Sequence, residues 1–451
     1  MKIAFHTLGC KVNQYETEAM KEQFAQAGYL PVGEEDWADV YIINTCTVTN
    51  LADRKSRQYI RRMKKQNPQA IVAVTGCYAQ VSPQELTAME EVDIVAGTGE
   101  KNNLVWYVEE FRRQRQSQLH IIPYEELTEY TDRGIIASME SRTRAYIKIQ
   151  EGCNRFCSYC MIPYARGQVR SRNPEEIVME AMALLGRGFK EVILTGINTA
   201  LYGTEPGFPW PLTEEEKAEG ISGIEIIIRR LNALPIPFRI RLSSLEPTVV
   251  NADYVKRLMK YEKLCPHLHL SIQSGSDNVL RGMNRRYTRD EYLDIVRVLK
   301  EYDPGYGITT DIIAGFPGET EEDFLDSIDM IEQVQFCKVH GFRYSKRPGT
   351  AAASMKGHID GNTKNDRISR LLAAGENASR EFFAGELERG ALRTVLFEEW
   401  DGPAGESLIT GYTENYIKVY ASGGEEHLNS FQKVRLLEEY KDGMKGEIIN
   451  G

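Results

Sequence analysis

Over the first hundred residues, continuous apolar runs alternate with stretches in which apolar residues recur at helical spacing. Continuous apolar runs predict strands at residues 2–7, 39–44, 70–74 and 92–96. Between the runs, Met20, Phe24 and Ala27 recur at helical spacing before Gly28, and residues 52–66 form a basic helical stretch. Apolar strands separated by helices are typical of a parallel sheet. The pattern therefore predicts an N-terminal α/β domain over residues 1–110, followed by a linker over residues 111–138.

A second alternation of strands and helices occupies the middle of the chain. Its candidate strands begin near Arg144, Glu191, Arg239, Leu268, Gly307 and Lys338, and helical stretches such as residues 175–185 and 321–334 lie between them. Six strand–helix units predict a partial (β/α)6 barrel over residues 139–375, with its chemistry at the carboxyl ends of the strands.

The last sixty residues have a third pattern, of short strands separated by turns. The candidate strands are residues 394–397, 407–410, 416–420 and 433–437. This spacing predicts a small antiparallel β-barrel over residues 390–451. Three domains also agree with the length, because 451 residues exceed what one compact core holds.

Composition narrows the possible functions. No apolar run reaches the length of a membrane span, and the N-terminus has no export signal, so we expect a cytoplasmic protein with no membrane partner. Its eight cysteines are then unlikely to form disulfides and favour ligand or catalytic roles. The net charge of −10 argues weakly against nucleic-acid binding, although a local basic patch would suffice for it.

Three cysteines follow predicted strands of the N-terminal sheet. Cys10, Cys46 and Cys77 each come directly after a strand, next to small residues that let the backbone approach a bulky group. Because parallel strands end at one edge of a sheet, we expect these thiols to converge on a shared cluster. Buried structural cysteines are the alternative, and His6 could instead complete a zinc site with them.

Three further cysteines lie in one loop after the first barrel strand. Cys153, Cys157 and Cys160 have the spacing Cys-x3-Cys-x2-Cys, with no Cys or His in the next hundred residues. A 4Fe-4S cluster normally takes four thiolates, so three leave one iron open to S-adenosylmethionine. Buried thiols or an incomplete zinc site are the alternatives. Cys265 and Cys337 lack a partner pattern and are expected in the core.

These motifs resemble the radical S-adenosylmethionine methylthiotransferases over essentially the whole chain. The similarity includes the cysteine loop with Gly152 and Asn154 and the phrases at residues 163–167 (PYARG), 271–276 (SIQSGS) and 315–320 (GFPGET). The family's branches modify threonylcarbamoyladenosine in tRNA, isopentenyladenosine in tRNA, or a ribosomal-protein aspartate. Residues 6–13 (HTLGCKVN) and 411–416 (GYTENY) are most similar to the threonylcarbamoyladenosine branch.

The resemblance implies cofactors, partners and a reaction. It implies two 4Fe-4S clusters, one on each cysteine trio, and S-adenosylmethionine as source of both a 5′-deoxyadenosyl radical and a methyl group. It also implies a TRAM-like, RNA-binding last domain, the tRNA anticodon loop as substrate, and a reduced electron donor such as flavodoxin or ferredoxin. The expected cofactor contacts lie on or at the ends of barrel strands, with Asp311 on the fifth strand: Thr195, Gly196, Asn198, Gln273 and Asp311.

Candidate RNA contacts are basic residues near the presumed site. One group follows the cysteine loop: Arg166, Arg170 and Arg172. A second group lies on the basic helix, where a solvated face is the simpler explanation: Arg54, Lys55, Arg57, Arg61, Arg62, Lys64 and Lys65. The acidic segment 398–439 suits a basic protein partner better, which keeps the ribosomal substrate open. A non-enzymatic iron–sulfur or zinc protein that binds RNA is the last alternative.

Overall fold

The computed structural model describes residues 1–131, 143–390, 392–401 and 407–449. Its first part is a sheet of six parallel strands within the described residues: β1 Lys2–Thr7, β2 Leu30–Val32, β3 Val40–Thr45, β4 Ile71–Gly76, β5 Ile94–Ala96 and β6 Gln118–His120. Their order is β2-β1-β3-β4-β5-β6. The predicted parallel sheet is confirmed, and β1, β3 and β4, which precede the three cysteines, are neighbours in it.

Helices cover both faces of this sheet. They are α1 Lys11–Gln26, α2 Asn50–Gln66, α3 Cys77–Val81, α4 Pro83–Thr87 and α5 Leu104–Gln114. One apolar core packs α1 and α5 against β1 and β3, with Phe24 and Leu104 fully buried. The other packs α2, α3 and α4 on the opposite face, with Ile60 and Leu86 fully buried. Both faces are buried, which explains the continuous apolar strands.

The middle of the chain forms the predicted partial barrel. Its strands are β7 Arg144–Glu151, β8 Arg170–Ser171, β9 Glu191–Gly196, β10 Arg239–Leu242, β11 His267–His269, β12 Gly307–Ala314 and β13 Lys338–Arg343. Six of them run parallel, in the order β7-β9-β10-β11-β12-β13, with single bridges joining β10 to the segment that leads into β11. Short β8 pairs antiparallel with the end of β7.

Helices alternate with the barrel strands. They are α6 Ile162–Arg166, α7 Pro174–Gly186, α8 Glu214–Ala218, α9 Glu225–Asn232, α10 Ala252–Leu258, α11 Asp277–Gly282, α12 Arg289–Tyr302, α13 Glu321–Val334 and α14 Gly361–Arg389. Helix α14 packs along β13 and α13 and connects the partial barrel to the last domain. The predicted start of the barrel at residue 139 lies outside the described residues.

The C-terminal part is a closed small barrel. Within the described residues its strands are β14 Leu392–Trp400, β15 Leu408–Thr413, β16 Lys418–Ser422, β17 Phe431–Tyr440 and β18 Gly443–Ile448. All neighbouring pairs are antiparallel except β16–β18. The turn between β15 and β16 reaches the amino-terminal end of the larger barrel, where Asn415 Nδ2 donates to the Gly305 carbonyl over 2.9 Å.

One difference from the sequence-based expectation concerns the connection after the first domain. The predicted linker over residues 111–138 is wrong at residues 118–120, because β6 pairs in parallel with β5 and extends the sheet. Linker residues 132–138 lie outside the described residues, and the remaining domain bounds stay predictions. No helix in the described ranges is both long and apolar enough to cross a membrane.

Candidate functional site

The first cysteine trio comes together where β1, β3 and β4 end. Cys10 caps α1, Cys46 follows β3, and Cys77 is the first residue of α3. The approach is close, because a Cβ on Gly9, whose φ is +109°, would lie 3.1 Å from the Cys46 Sγ. Burial raises the pKa of Cys46 to about 12, and the nearby Cys77 and Cys10 add to this increase. Such thiols become thiolates when a metal compensates the charge.

A buried arginine connects this trio to the partial barrel. Arg166, at the end of α6, donates from Nε to the Cys77 Sγ over 3.2 Å. Its Nη1 donates to Glu16 over 2.5 Å and to Glu151 over 3.1 Å. Lys101 and Lys148 also pair with Glu16. Three buried cations therefore face two carboxylates, and a Cys77 thiolate would supply the missing negative charge.

The second trio lies in the loop after β7. Gly152, with φ +73°, turns the chain so closely that a Cβ there would lie 1.7 Å from the Gln168 carbonyl oxygen. Within the loop, the Cys160 amide donates to the Cys157 carbonyl over 2.9 Å. The Ile162 amide donates to the Cys160 Sγ over 3.4 Å. Burial raises the pKa of Cys160 to about 12, with the nearby Cys157 adding to it. All three thiols are only partly exposed.

A buried ion-pair cluster beside this loop was not predicted from the sequence. Glu246, which follows β10, accepts from Arg155 Nε over 2.8 Å and from Arg285 over 3.2 Å. Arg285 also donates to the Tyr159 hydroxyl over 3.1 Å. The one sequence signal for this cluster is the position of Glu246 just beyond a strand, at the carboxyl-terminal face of the barrel where active sites form.

The predicted cofactor residues separate into two groups. Asn198 lies with Glu246, which accepts from its Nδ2 over 2.7 Å, while the Asn198 Oδ1 is buried without a hydrogen-bond partner. An orphan acceptor beside a carboxylate suits the ammonium group of an amino acid such as S-adenosylmethionine. Thr195, Gly196 and Asp311 instead line a cavity on the other side.

The cavity extends from the first trio into the partial barrel. It holds about 480 Å³, and Cys10 and Lys11 line it together with the ends of β9 and β10 and the middle of β12. Asp311 there accepts from His269 over 3.1 Å and from Ser271 over 3.0 Å. Although burial opposes ionisation, these hydrogen bonds hold the pKa of Asp311 below its ordinary value. Gln273 has φ +69° and joins the sheet through its backbone to Asp311 and Ile313.

Three predicted RNA contacts are corrected by their burial. Arg166 is fully buried in the network described above, and Arg170 donates to the Leu127 carbonyl over 2.5 Å. Arg172 pairs with the buried Glu180. Each of these side chains is held by a partner inside the protein, so none of the three is available to contact RNA phosphates.

The remaining candidate ligands have other neighbours. His6 contacts Glu34 and stacks on Tyr59 with ring centroids 3.4 Å apart. Cys265 and Cys337 are buried. Among the described residues, no group of three or more His, Cys, Asp or Glu side chains is arranged to hold one metal ion. The irons of a cuboidal cluster occupy separate corners, so its thiolates stand further apart than the ligands of a single ion.

Fold and cysteine loop define a radical S-adenosylmethionine enzyme, and comparisons agree. The Radical SAM superfamily matches residues 147–331, and the Uncharacterized protein family UPF0004 matches residues 2–97. The radical S-adenosylmethionine methyltransferase TsrM of Kitasatospora setae shares the fold with a TM-score of 0.56 at 14% identity, over 78% of this chain and 76% of its own.

Full-length relatives identify the family. Threonylcarbamoyladenosine tRNA methylthiotransferase MtaB of Bacillus subtilis is 42% identical over 99% of this chain and 96% of its own. The tRNA-2-methylthio-N(6)-dimethylallyladenosine synthase of Caldicellulosiruptor saccharolyticus is 34% identical over 98% of this chain and 91% of its own. The chain belongs to the radical S-adenosylmethionine methylthiotransferases, which use S-adenosylmethionine and a 4Fe-4S cluster.

Proposed function

We propose that this enzyme acts on tRNA and replaces the hydrogen on carbon 2 of N6-threonylcarbamoyladenosine, next to the anticodon, by a methylthio group. The relative at 42% identity carries the name of this activity, whereas three relatives named for the dimethylallyl nucleoside are 33–34% identical. The predicted similarity of residues 6–13 and 411–416 to the same branch agrees with this choice.

One observation carries the proposal: Cys10 of the first trio and the strand ends of the partial barrel border the same cavity. A base in this cavity would lie between the group held by the first trio and the side of the barrel that carries the second. Several polar side chains lie on the cavity wall, among them Lys11, Ser243, His269 and Asp311. These polar groups suit the threonylcarbamoyl group better than the apolar isopentenyl group.

Each trio would hold one 4Fe-4S cluster. Cys153, Cys157 and Cys160 would hold the cluster that binds S-adenosylmethionine, which supplies the radical needed to attack an unactivated carbon–hydrogen bond. The trio of Cys10, Cys46 and Cys77 would hold the second. The Arg166 contact to the Cys77 sulfur supports this, since a charged donor favours a thiolate ligand.

The surrounding residues would orient the cofactor and exclude water. Glu246 and the orphan Asn198 Oδ1 would accept from the ammonium of S-adenosylmethionine, and Arg285 would hold Glu246 in place. The buried Arg166 network would fix the N-terminal sheet against the barrel, so that the two trios keep one geometry relative to each other. The electron donor and the cytoplasmic location stay predictions.

RNA phosphates would contact the exposed side of α2. This helix begins four residues after Cys46, and its N-terminus is held to the partial barrel by Arg347, which donates to Asp53 over 2.6 Å. Within the described residues, the exposed cations of α2 that pair with no carboxylate are Arg54, Lys55 and Lys65. An anticodon-loop base is partly unstacked already, so moving it into the cavity costs little.

Nucleoside analysis of tRNA tests the proposal. In a strain that lacks this chain, N6-threonylcarbamoyladenosine should persist while its 2-methylthio derivative disappears. Loss of the methylthio group from isopentenyladenosine, or from the ribosomal-protein aspartate, would contradict the substrate and leave the family assignment intact. Complementation by the Cys157→Ala variant, which lacks a ligand for the open-iron cluster, should fail.

A further inference from the structure

One cation in the cavity has no anion. Lys11 is the first residue of α1 and inserts its side chain into the partial barrel, where Nζ lies 6.0 Å from the ring centroid of Tyr146. Among the described residues it has neither an ion pair nor a hydrogen bond to its ammonium group. Lys11 is partly buried, and a charge withdrawn from water in this way is costly unless a partner compensates it. A ligand in the cavity can be that partner.

The neighbouring charges do not supply the partner. Arg239 and Arg241 are both held by Glu191, the latter over 3.0 Å. Arg144 pairs with Glu398 over 2.5 Å. Of these three arginines only Arg241 lines the cavity, and Asp311, which also lines it, already accepts from His269 over 3.1 Å. Within the described residues, Lys11 is therefore the lining cation without a carboxylate partner, which makes its surroundings attractive to an anion.

Two buried polar atoms near Lys11 are also unpartnered. The Ser243 Oγ and the His267 Nδ1 have no hydrogen-bond partner within the described structure, and the two residues are only 7% and 3% exposed. Both residues line the same cavity as Lys11. Orphan polar atoms at such depth indicate a polar ligand, since buried polar groups are normally paired.

We infer that Lys11, with Ser243 and His267, forms a subsite for the carboxylate of the threonyl group on the substrate base. This inference rests on the proposed function and assigns the residues that select the threonylcarbamoyl nucleoside. An ammonium and a hydroxyl donate to a carboxylate, and the histidine nitrogen can pair with the threonyl hydroxyl. The isopentenyl group has no polar atom and would leave the polar atoms of Lys11, Ser243 and His267 without partners. Such unpaired buried groups discriminate against a substrate more strongly than a difference in apolar contact does.

The test uses the full-length, cluster-loaded enzyme and three anticodon stem–loop RNAs. The RNAs carry N6-threonylcarbamoyladenosine, its methyl ester, or isopentenyladenosine, and the dissociation constant of each is measured by fluorescence anisotropy. Wild-type enzyme should bind the acid about tenfold or more tightly than the ester, the range expected for a hydrogen bond between charged groups. Lys11→Met should remove this preference by weakening the acid alone.

Matched variants separate the subsite from general damage. Lys11→Arg should keep a preference for the acid. Ser243→Ala should weaken binding of the acid several-fold and leave the ester unchanged. Lys21→Met should behave as wild type, since Lys21 lies on the same helix and pairs with Glu18 over 3.0 Å. An unchanged ratio of acid to ester in both Lys11→Met and Ser243→Ala would overturn the inference.

A second readout identifies whose carboxylate is bound. If Lys11 served S-adenosylmethionine instead, Lys11→Met would raise the KM of S-adenosylmethionine in its cleavage without RNA, and the inference would be wrong. If wild-type enzyme modified the threonylcarbamoyl RNA without preferring acid over ester, only the subsite would fail. If it modified isopentenyladenosine instead, the proposed function would fail.

Discussion

Replacing Arg166 by methionine should destabilise the contact between the N-terminal sheet and the partial barrel. The guanidinium is fully buried and bonds across the contact to Glu16 and Cys77 on one side and to Glu151 on the other. Methionine keeps an unbranched aliphatic stem and removes every one of these donors. The perturbation is thus chiefly electrostatic.

The buried partners set the magnitude. Removing one member of a buried ion pair costs about 3–5 kcal/mol, because the other charge stays buried without compensation. Here Glu16 keeps Lys101 and Lys148, the latter over 2.8 Å, and Glu151 keeps Lys148. We therefore expect the lower end of the range, about 3 kcal/mol. Arg166→Lys keeps the charge and loses the forked geometry, so its cost should be smaller, about 1–2 kcal/mol.

Urea denaturation of the apoprotein measures the free energy of unfolding, and limited proteolysis reports separation of the N-terminal sheet. Arg297→Met is the control, since Arg297 pairs with Asp294 on an exposed helix face, where ion pairs contribute little. A free energy of unfolding of Arg166→Met within about 1 kcal/mol of the wild-type value is what loss of a surface ion pair would give. That result would show that the network does not hold the N-terminal sheet to the partial barrel. The iron content of the variant after reconstitution shows whether the Cys77 contact also matters.

Three further predictions follow from the same contacts. Cys46→Ala should halve the iron bound after anaerobic reconstitution and stop methylthiolation, yet spare cleavage of S-adenosylmethionine. Full methylthiolation by this variant would show that the first trio has only a structural role. Replacing the exposed cations Arg54, Lys55 and Lys65 of α2 by glutamine should weaken tRNA binding and reduce the slope of log Kd against log salt by about 2. An unchanged slope would exclude α2 from the interface. Although burial opposes ionisation, Arg166 and Lys148 hold the pKa of Glu151 at about 2, below its ordinary value of 4.5. The stability that the ionised Glu151 contributes should therefore be complete above pH 4.5 and be lost as the pH falls through 2. The free energy of unfolding, measured as a function of pH, should show this loss in the wild type and not in Glu151→Gln.

The fold was largely predictable because its strands are buried on both faces. The starts of five barrel strands agree with the apolar pattern, and the sixth begins one residue earlier, at His267. The strands that the pattern missed lie at edges or are rich in polar residues and glycine: β2, β6, β8 and β18. An edge strand buries too little to show a continuous apolar run.

The meeting of the first cysteine trio could be predicted for topological reasons, since parallel strands end at one edge, and the second trio lies within one loop. The arginines after the loop could not be placed, because their burial depends on partners distant in sequence. Glu16 is 150 residues away from Arg166. Likewise, nothing local to Lys11 indicates that its side chain enters a different domain, and Glu246 meets Arg285 only through the barrel. Long-range pairing of charges, rather than local pattern, decides these positions.

The most direct test of the central claim is an anaerobic reaction of the purified, cluster-loaded enzyme with an anticodon stem–loop RNA carrying N6-threonylcarbamoyladenosine. The mixture contains S-adenosylmethionine, a reductant and a sulfide source, and mass spectrometry measures the nucleosides and 5′-deoxyadenosine. The account predicts the 2-methylthio nucleoside together with 5′-deoxyadenosine, and neither with Cys157→Ala. Formation of 5′-deoxyadenosine without modification of this RNA, but with modification of the isopentenyladenosine RNA, would contradict it.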